Sequence, residues 1–202
     1  MEQETLFTSS KWDILKCLEH AKKSPLELAK ETNTSVANIS QQLRLLEMAG
    51  FVKSERISNR DKGLPRVLYS LNGNYSYLVV SSHGFVDKKF FRLQDYQKCV
   101  LRIWFLDNQD LQRYVERFFW GIEKYLDKID VLAMDSKDPA NIMVYISSTN
   151  SDIKKSLKDG IIDGSSGSKK FSISFIKDQE IKKTLQHAFI IYDPKNMGEV
   201  TK

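Results

Sequence analysis

The chain has 202 residues, of which 41% are hydrophobic and 28% charged, with a formal net charge of +5. That length points to one or two domains, and the composition supplies a proper core, which excludes global disorder. No run of about 18 apolar residues occurs, so no membrane-spanning helix is expected.

The start, MEQETLFTSSKW, is acidic and polar, without a basic-then-apolar signal pattern. Ser9 or Ser10 caps a predicted helix with apolar positions Trp12, Ile14, Leu15 and Leu18. Ser24-Pro25-Leu26-Glu27 reads as a capping box, with proline at the first helical position, and opens a short helix from Pro25 to Glu31. After the polar link Thr32-Asn33-Thr34, Ser35 caps a third helix running to about Ala49, where Gly50 is the natural stop. Phe51–Ile57 and Arg66–Leu71 then read as two strands around a turn-rich loop, a hairpin closed by Asn72-Gly73-Asn74.

Residues 75–93 give weaker signals, with strand fragments at Tyr77–Val80 and Phe85–Val86. Leu93 to Leu106 reads as a mostly buried helix. Asp107-Asn108 then caps a long amphipathic helix reaching Ile129, with a stripe of Leu111, Tyr114, Val115, Phe118, Phe119 and Ile122 at three- and four-residue spacing. That stripe suits a core or a dimer seam. The last third alternates: strand Asp130–Met134, strand Asn141–Ser147, helix Ser151–Lys158, a loop at 163–168, strand Phe171–Ile176, helix Asp178–Gln186 and strand Ala188–Tyr192. The expected fold is α+β, divided into a DNA-binding domain at 1–74, a linker and helical dimerisation segment at 75–129, and a small α/β sheet domain at 130–202.

Helix, short helix, turn, longer helix and basic hairpin is the order of a winged helix-turn-helix. Its third helix must be apolar inward and free of acids outward to enter a major groove. With Ser35 at zero and ~100° per residue, Val36, Ile39, Leu43 and Leu46 share the inner sector. Ala37, Asn38, Gln41 and Arg44 lie opposite, flanked by Ser40, and no acid occurs from Ser35 to Leu46. Asn and Gln pair with adenine and Arg with guanine, while Thr34, Ser35 and the amides at the helix start suit a phosphate. The hairpin adds Lys53, Arg56, Arg60, Lys62 and Arg66 against Glu55 and Asp61, a basic tip suited to phosphates or the minor groove. Two alternatives stay open: Asn38 and Gln41 as an ordinary solvated helix face, and the hairpin cations as protection of a sheet edge.

The run from Ser9 to Asn72 resembles the ArsR-type winged-helix family of prokaryotic transcription regulators, especially its archaeal branch. The resemblance rests on V-x-x-I-S-x-x-L-R-x-L-E-x-A-G-F-V at Val36 to Val52 and on Gly63-Leu-Pro-Arg-Val-Leu-Tyr-Ser-Leu71. It implies a dimeric double-stranded-DNA-binding repressor or activator in which Ser35, Asn38, Ser40, Gln41, Arg44, Arg60, Lys62 and Arg66 face DNA. The Cys-x-Cys of the family's metal sensors is missing, and His20, His83 and His187 are scattered, so no metal or cofactor is expected. Cys17 and Cys99 form no CxxC pair, which makes a reducing cytoplasm the simplest compartment.

The last third is similar in layout to the minimal nucleotidyltransferase core. However, Asp135 replaces the glycine of that family's Gly-Ser pair, and Asn141 and Met143 stand where its metal-holding carboxylates belong. The resemblance therefore implies a fold without the activity, and the chain is expected not to be an enzyme. The expected function is a homodimeric transcription regulator whose sheet domain senses an unknown small-molecule effector or stiffens the assembly. The rival readings are an active nucleotidyltransferase-like enzyme and a protein-interaction scaffold built on the winged helix.

Overall fold

The first helices form where the sequence signals place them. A computed structural model describes residues 9–57 and 66–198. Helix α1 (Ser9–Cys17) is followed by α2 (Pro25–Glu31). Ser24 caps α2 in a complete box: its hydroxyl accepts from the Glu27 N–H, and its own N–H donates to the Glu27 carboxylate at 2.7 Å. In the turn that follows, the Thr32 hydroxyl donates to the Leu28 carbonyl at 2.8 Å, and Asn33 takes a left-handed φ of 50° that asparagine tolerates. Helix α3 (Val36–Met48) begins on Ser35, whose side chain accepts from the Asn38 N–H, and ends at Gly50 with φ 79°. The positive φ lets the Phe51 N–H return to the Leu46 carbonyl at 3.0 Å.

Strands β1 (Val52–Ile57) and β2 (Arg66–Leu71) pair antiparallel, Val52 opposite Leu71 and Ile57 opposite Arg66. Lys23 bridges to Tyr69 through two backbone hydrogen bonds and ties the α1–α2 connection to β2. Ile14, Leu18, Leu28, Ala29, Ile39, Leu43, Leu46 and Val52 form the buried core of these elements. Val36, expected in that core, is instead 42% exposed. It lies on the first turn of α3, at the rim of a surface depression between α2 and α3 that Leu26 and Ala29 also line.

Residues 75–93 form one long hairpin rather than fragments: β3 (Tyr75–Ser82) pairs antiparallel with β4 (Phe85–Arg92) as a separate two-stranded sheet. The chain divides into two compact units at Leu93/Gln94, inside the segment expected to be a linker. The hairpin therefore belongs to the first unit, and the helices after it to the second.

In the second unit, α4 (Asp95–Trp104) and α5 (Gln109–Ile122) precede β5 (Val131–Asp135), β6 (Asn141–Ser147), α6 (Ile153–Ser156), β7 (Gly160–Gly164), β8 (Gly167–Phe175), α7 (Ile181–Thr184) and β9 (Phe189–Tyr192). The five strands form one mixed sheet in the order β7-β8-β6-β5-β9, with β6 and β8 parallel and the other pairs antiparallel. The inner strand β5, between β6 and β9, is buried on both faces, which is why it reads as an unbroken apolar run. Leu132 and Met134 meet one cluster with α4 and α5, while Val131 and Ala133 meet a second with Ile181 and Leu185.

Four expectations change here. The long helix ends at Ile122 and continues as a 3-10 segment, Glu123–Lys128. The expected helix at 151–158 shrinks to a single α-turn, α6, whereas the one at 178–186 forms as a continuous helical run from Asp178 to His187, with 3-10 turns on either side of α7. The expected loop at 163–168 is the turn of the β7–β8 hairpin. Finally, the stripe offered as a dimer seam is core: Tyr114, Val115, Phe118, Phe119 and Ile122 are buried within the unit, and Leu111 packs against them. Phe118 stacks on Phe171 at 4.7 Å. Side chains already covered by their own sheet leave no area for a second copy, so a dimer needs another surface.

Candidate nucleic-acid interface

Helix α3 turns Ile39, Leu43 and Leu46 inward, and that anchoring fixes what it shows outward. Ala37, Ser40, Gln41 and Arg44 are exposed, and no acid lies between Ser35 and Leu46. Ser35 is exposed with its hydroxyl already capping the helix, at 3.2 Å from the Asn38 N–H. Ser40 returns its hydroxyl to the Val36 carbonyl at 2.8 Å. Among the expected DNA-facing residues, Gln41 and Arg44 thus carry the long polar side chains on the open face.

Asn38 is placed differently from the expectation of an outward-facing side chain. It is half-buried, its Nδ2 donates to Thr34 Oγ1 at 3.1 Å, and its Oδ1 accepts from Gln42 Nε2 at 3.3 Å. Thr34, also half-buried, is thus occupied by Asn38. Gln42 is a residue that sequence reasoning passed over. Its i,i−4 contact completes a ladder, Thr34–Asn38–Gln42, along one flank of α3. The available signal was three polar residues at four-residue spacing beside the core stripe.

The wing divides its cations between two faces. Side chains alternate along a strand, and the register pairs Arg56 with Val67 but Ile57 with Arg66. Arg56 therefore shares the face of Val52 and Tyr69, which packs on the α3 core. Lys53 and Arg66 share the opposite face, where Arg66 lies 3.8 Å from Glu27. Arg60 and Lys62 lie outside the described residues.

The acids bordering this surface are engaged by neighbours. Glu47 accepts from the Ser54 N–H at 3.1 Å and from its hydroxyl at 2.6 Å. Hydrogen bonds from Ser24 hold the Glu27 carboxyl below the usual range, with Arg66 and Lys23 adding to the effect. Lys23 does the same for Glu31, and Lys22 for Glu55. The local field of these carboxylates is thus partly cancelled before any anion approaches.

In the second unit, the positions compared with a nucleotidyltransferase carry other contacts. The Asp135 carboxylate accepts from the Lys137 N–H at 2.9 Å, and the Asn141 side chain accepts from the Ser172 hydroxyl at 2.9 Å. No group of three His, Cys, Asp or Glu residues able to hold a metal ion occurs among the described residues. Likewise, no described helix is long and apolar enough to cross a membrane.

Residues 8–54 match the family described as "Bacterial regulatory protein, arsR family". The match spans α1 to the start of β1, so the amino-terminal domain is an ArsR-type winged helix-turn-helix. It stops well short of the second unit and lends no support to the nucleotidyltransferase resemblance. No curated protein matches the chain in sequence.

Proposed function

We propose, from the premise of an ArsR-type domain at residues 8–54, that this chain is a sequence-specific duplex-DNA-binding transcription regulator acting as a homodimer. Helix α3 enters the major groove, with Gln41 and Arg44 reaching base edges. Ser35 and the first amides of α3 hold a phosphate, and Arg56 approaches the backbone from the wing. The observation that carries this reading is the acid-free outer face of α3, on which Gln41 and Arg44 stand exposed while Ile39, Leu43 and Leu46 anchor the helix from behind.

A two-fold dimer presents two such helices to half-sites about one helical turn apart, on a pseudo-palindromic operator. The second unit senses an effector or stiffens the dimer. An effector acts only by binding the DNA-competent and incompetent arrangements with different affinity. A nucleotidyltransferase reading requires carboxylates that Asn141 and Met143 do not supply.

The test is binding to random-sequence duplex across a salt series, followed by sequencing of the duplexes retained. The reading expects log affinity to fall linearly with log salt, with a slope of about −0.9 per phosphate contacted, and the retained pool to converge on an inverted repeat. Salt-independent binding, or a pool with no shared sequence, contradicts it.

A further inference from the structure

The geometry points to β3 as the edge through which two copies of this chain pair, antiparallel and two-fold about Leu78. This inference rests on the homodimer reading above and names its surface.

The β3–β4 hairpin is anchored at only one end. Phe90 stacks on Tyr75 at 5.2 Å and meets Phe51 edge-on at 5.1 Å. Farther along, Val79 is 57% exposed, Phe85 56% and Val86 77%. A sheet of two strands is marginal by itself and gains most from a further strand. Each strand here has one unpaired edge.

The two edges are not alike. Strand β4 carries Asp87, Lys88, Lys89 and Arg92, the kind of charge that keeps an edge from recruiting another strand. Strand β3 reads Tyr-Ser-Tyr-Leu-Val-Val-Ser-Ser, with no charge, proline or glycine. The occupant that fits such an edge is a second β3. An uncharged strand offers nothing for a charged partner to complement, and antiparallel self-pairing sets no like charges opposite each other. The lysine-bearing β4 strands then fall on the outer edges of a four-stranded sheet, about 14 Å apart at the usual strand spacing, beyond the Debye length of ~8 Å.

The register follows from the hydrogen bonding. The Leu93 N–H donates to the Asn74 carbonyl at 2.8 Å, so antiparallel alternation turns the backbone groups of Tyr75, Tyr77, Val79 and Ser81 toward the open edge. A two-fold pairing of those groups sets Tyr77 opposite Val79 of the other copy, an aromatic–β-branched pair of the kind sheets favour. It also brings the two Leu78 residues face to face at the centre, with Cα atoms about 4.5 Å apart, within reach of a disulfide between substituted cysteines.

The test uses the full chain with Cys17→Ser and Cys99→Ala as background. Light scattering is expected to give a dimer mass for this background and a monomer mass after Val79→Lys, with the far-ultraviolet dichroism unchanged because Val79 is exposed. Leu78→Cys is expected to form a disulfide-linked dimer under mild oxidation. Ser76→Cys, which faces Val80 of the other copy, is expected not to link. A monomeric background protein, a dimer that survives Val79→Lys, or Ser76→Cys linking as readily as Leu78→Cys overturns the inference. Random-duplex binding is measured on the same samples. Lost binding by an intact dimer counts against the α3 reading alone, a dimer that survives Val79→Lys counts against β3 alone, and a monomeric background protein counts against the homodimer reading and β3 together.

Discussion

Gly164 lies so close to Tyr114 that a Cβ built on the glycine would stand 2.4 Å from both Cζ and Oη of the phenol ring. The same hydroxyl donates to the Gly167 carbonyl at 2.6 Å. The Gly164-Ser-Ser-Gly167 segment is thus a hairpin turn seated on α5, and its first glycine is set by packing. Gly164→Ala is expected to cost about 1–3 kcal/mol through overpacking, and Tyr114→Phe about 1 kcal/mol through the lost hydrogen bond. Denaturant unfolding of each variant checks both values.

Asp130 is buried and accepts from Lys195 Nζ at 2.7 Å and from the Thr149 N–H at 2.9 Å. The lysine's hydrogen bond, helped by the Thr149 N–H, holds the carboxyl below its usual range, and Asp130 in turn raises Lys195. Because the folded carboxyl pKa is depressed, its stabilisation is present at neutral pH and is lost as pH falls through that lowered value. Because the folded lysine pKa is raised, its share is lost only as pH rises through a value above the ordinary lysine one. Asp130→Asn is expected to lower stability by about 1–3 kcal/mol at neutral pH and to reduce the acid-side slope of stability against pH. A pH series of unfolding midpoints measures this.

Cys99 is fully buried on α4, and burial pushes its thiol up to about 12. The thiolate is the reactive form, so Cys99 is expected to be inert toward thiol reagents in the folded protein. Cys17 is raised chiefly by burial and further by Glu31, so it is expected to react more slowly than a free thiol. A thiol-reagent titration, native against denatured, should show one slow and one silent group in the native protein and two fast ones after unfolding.

Replacing Ser24 with Ala removes the oxygen that accepts from the Glu27 N–H and the hydroxyl that donates to the Glu27 carboxylate. The expected loss is about 1 kcal/mol, the usual worth of a cap, read by thermal unfolding.

The amino-terminal elements were legible because their signals are local. Ser24, Pro25 and Glu27 define the start of α2 within four residues, and Ser35 and Gly50 bracket α3 in the same way. Val36 departed from the pattern because a first-turn residue can share the apolar sector of a helix yet lie beyond the end of the core. The hairpin at 75–92 shows only as fragments in the sequence because its strands lack the alternation that a covered face imposes: apolar and charged residues are mixed on both sides of β4. The stripe on α5 declared a buried face but not what buries it. The β7–β8 turn and strands β5, β6 and β8, farther along the chain, answered that. At the candidate site, the outward sector of α3 is readable from spacing, whereas the occupation of Asn38 by Thr34 and Gln42 depends on side-chain geometry that spacing leaves open.

The claim that the outer face of α3 reads base edges is tested most directly by selecting duplexes with the wild type and with Arg44→Ala at one fixed salt concentration. The expected result is that the variant still binds but loses discrimination at one position of each half-site, worth about 1–3 kcal/mol. An unchanged sequence preference in Arg44→Ala, or a wild type that selects no sequence, contradicts the account.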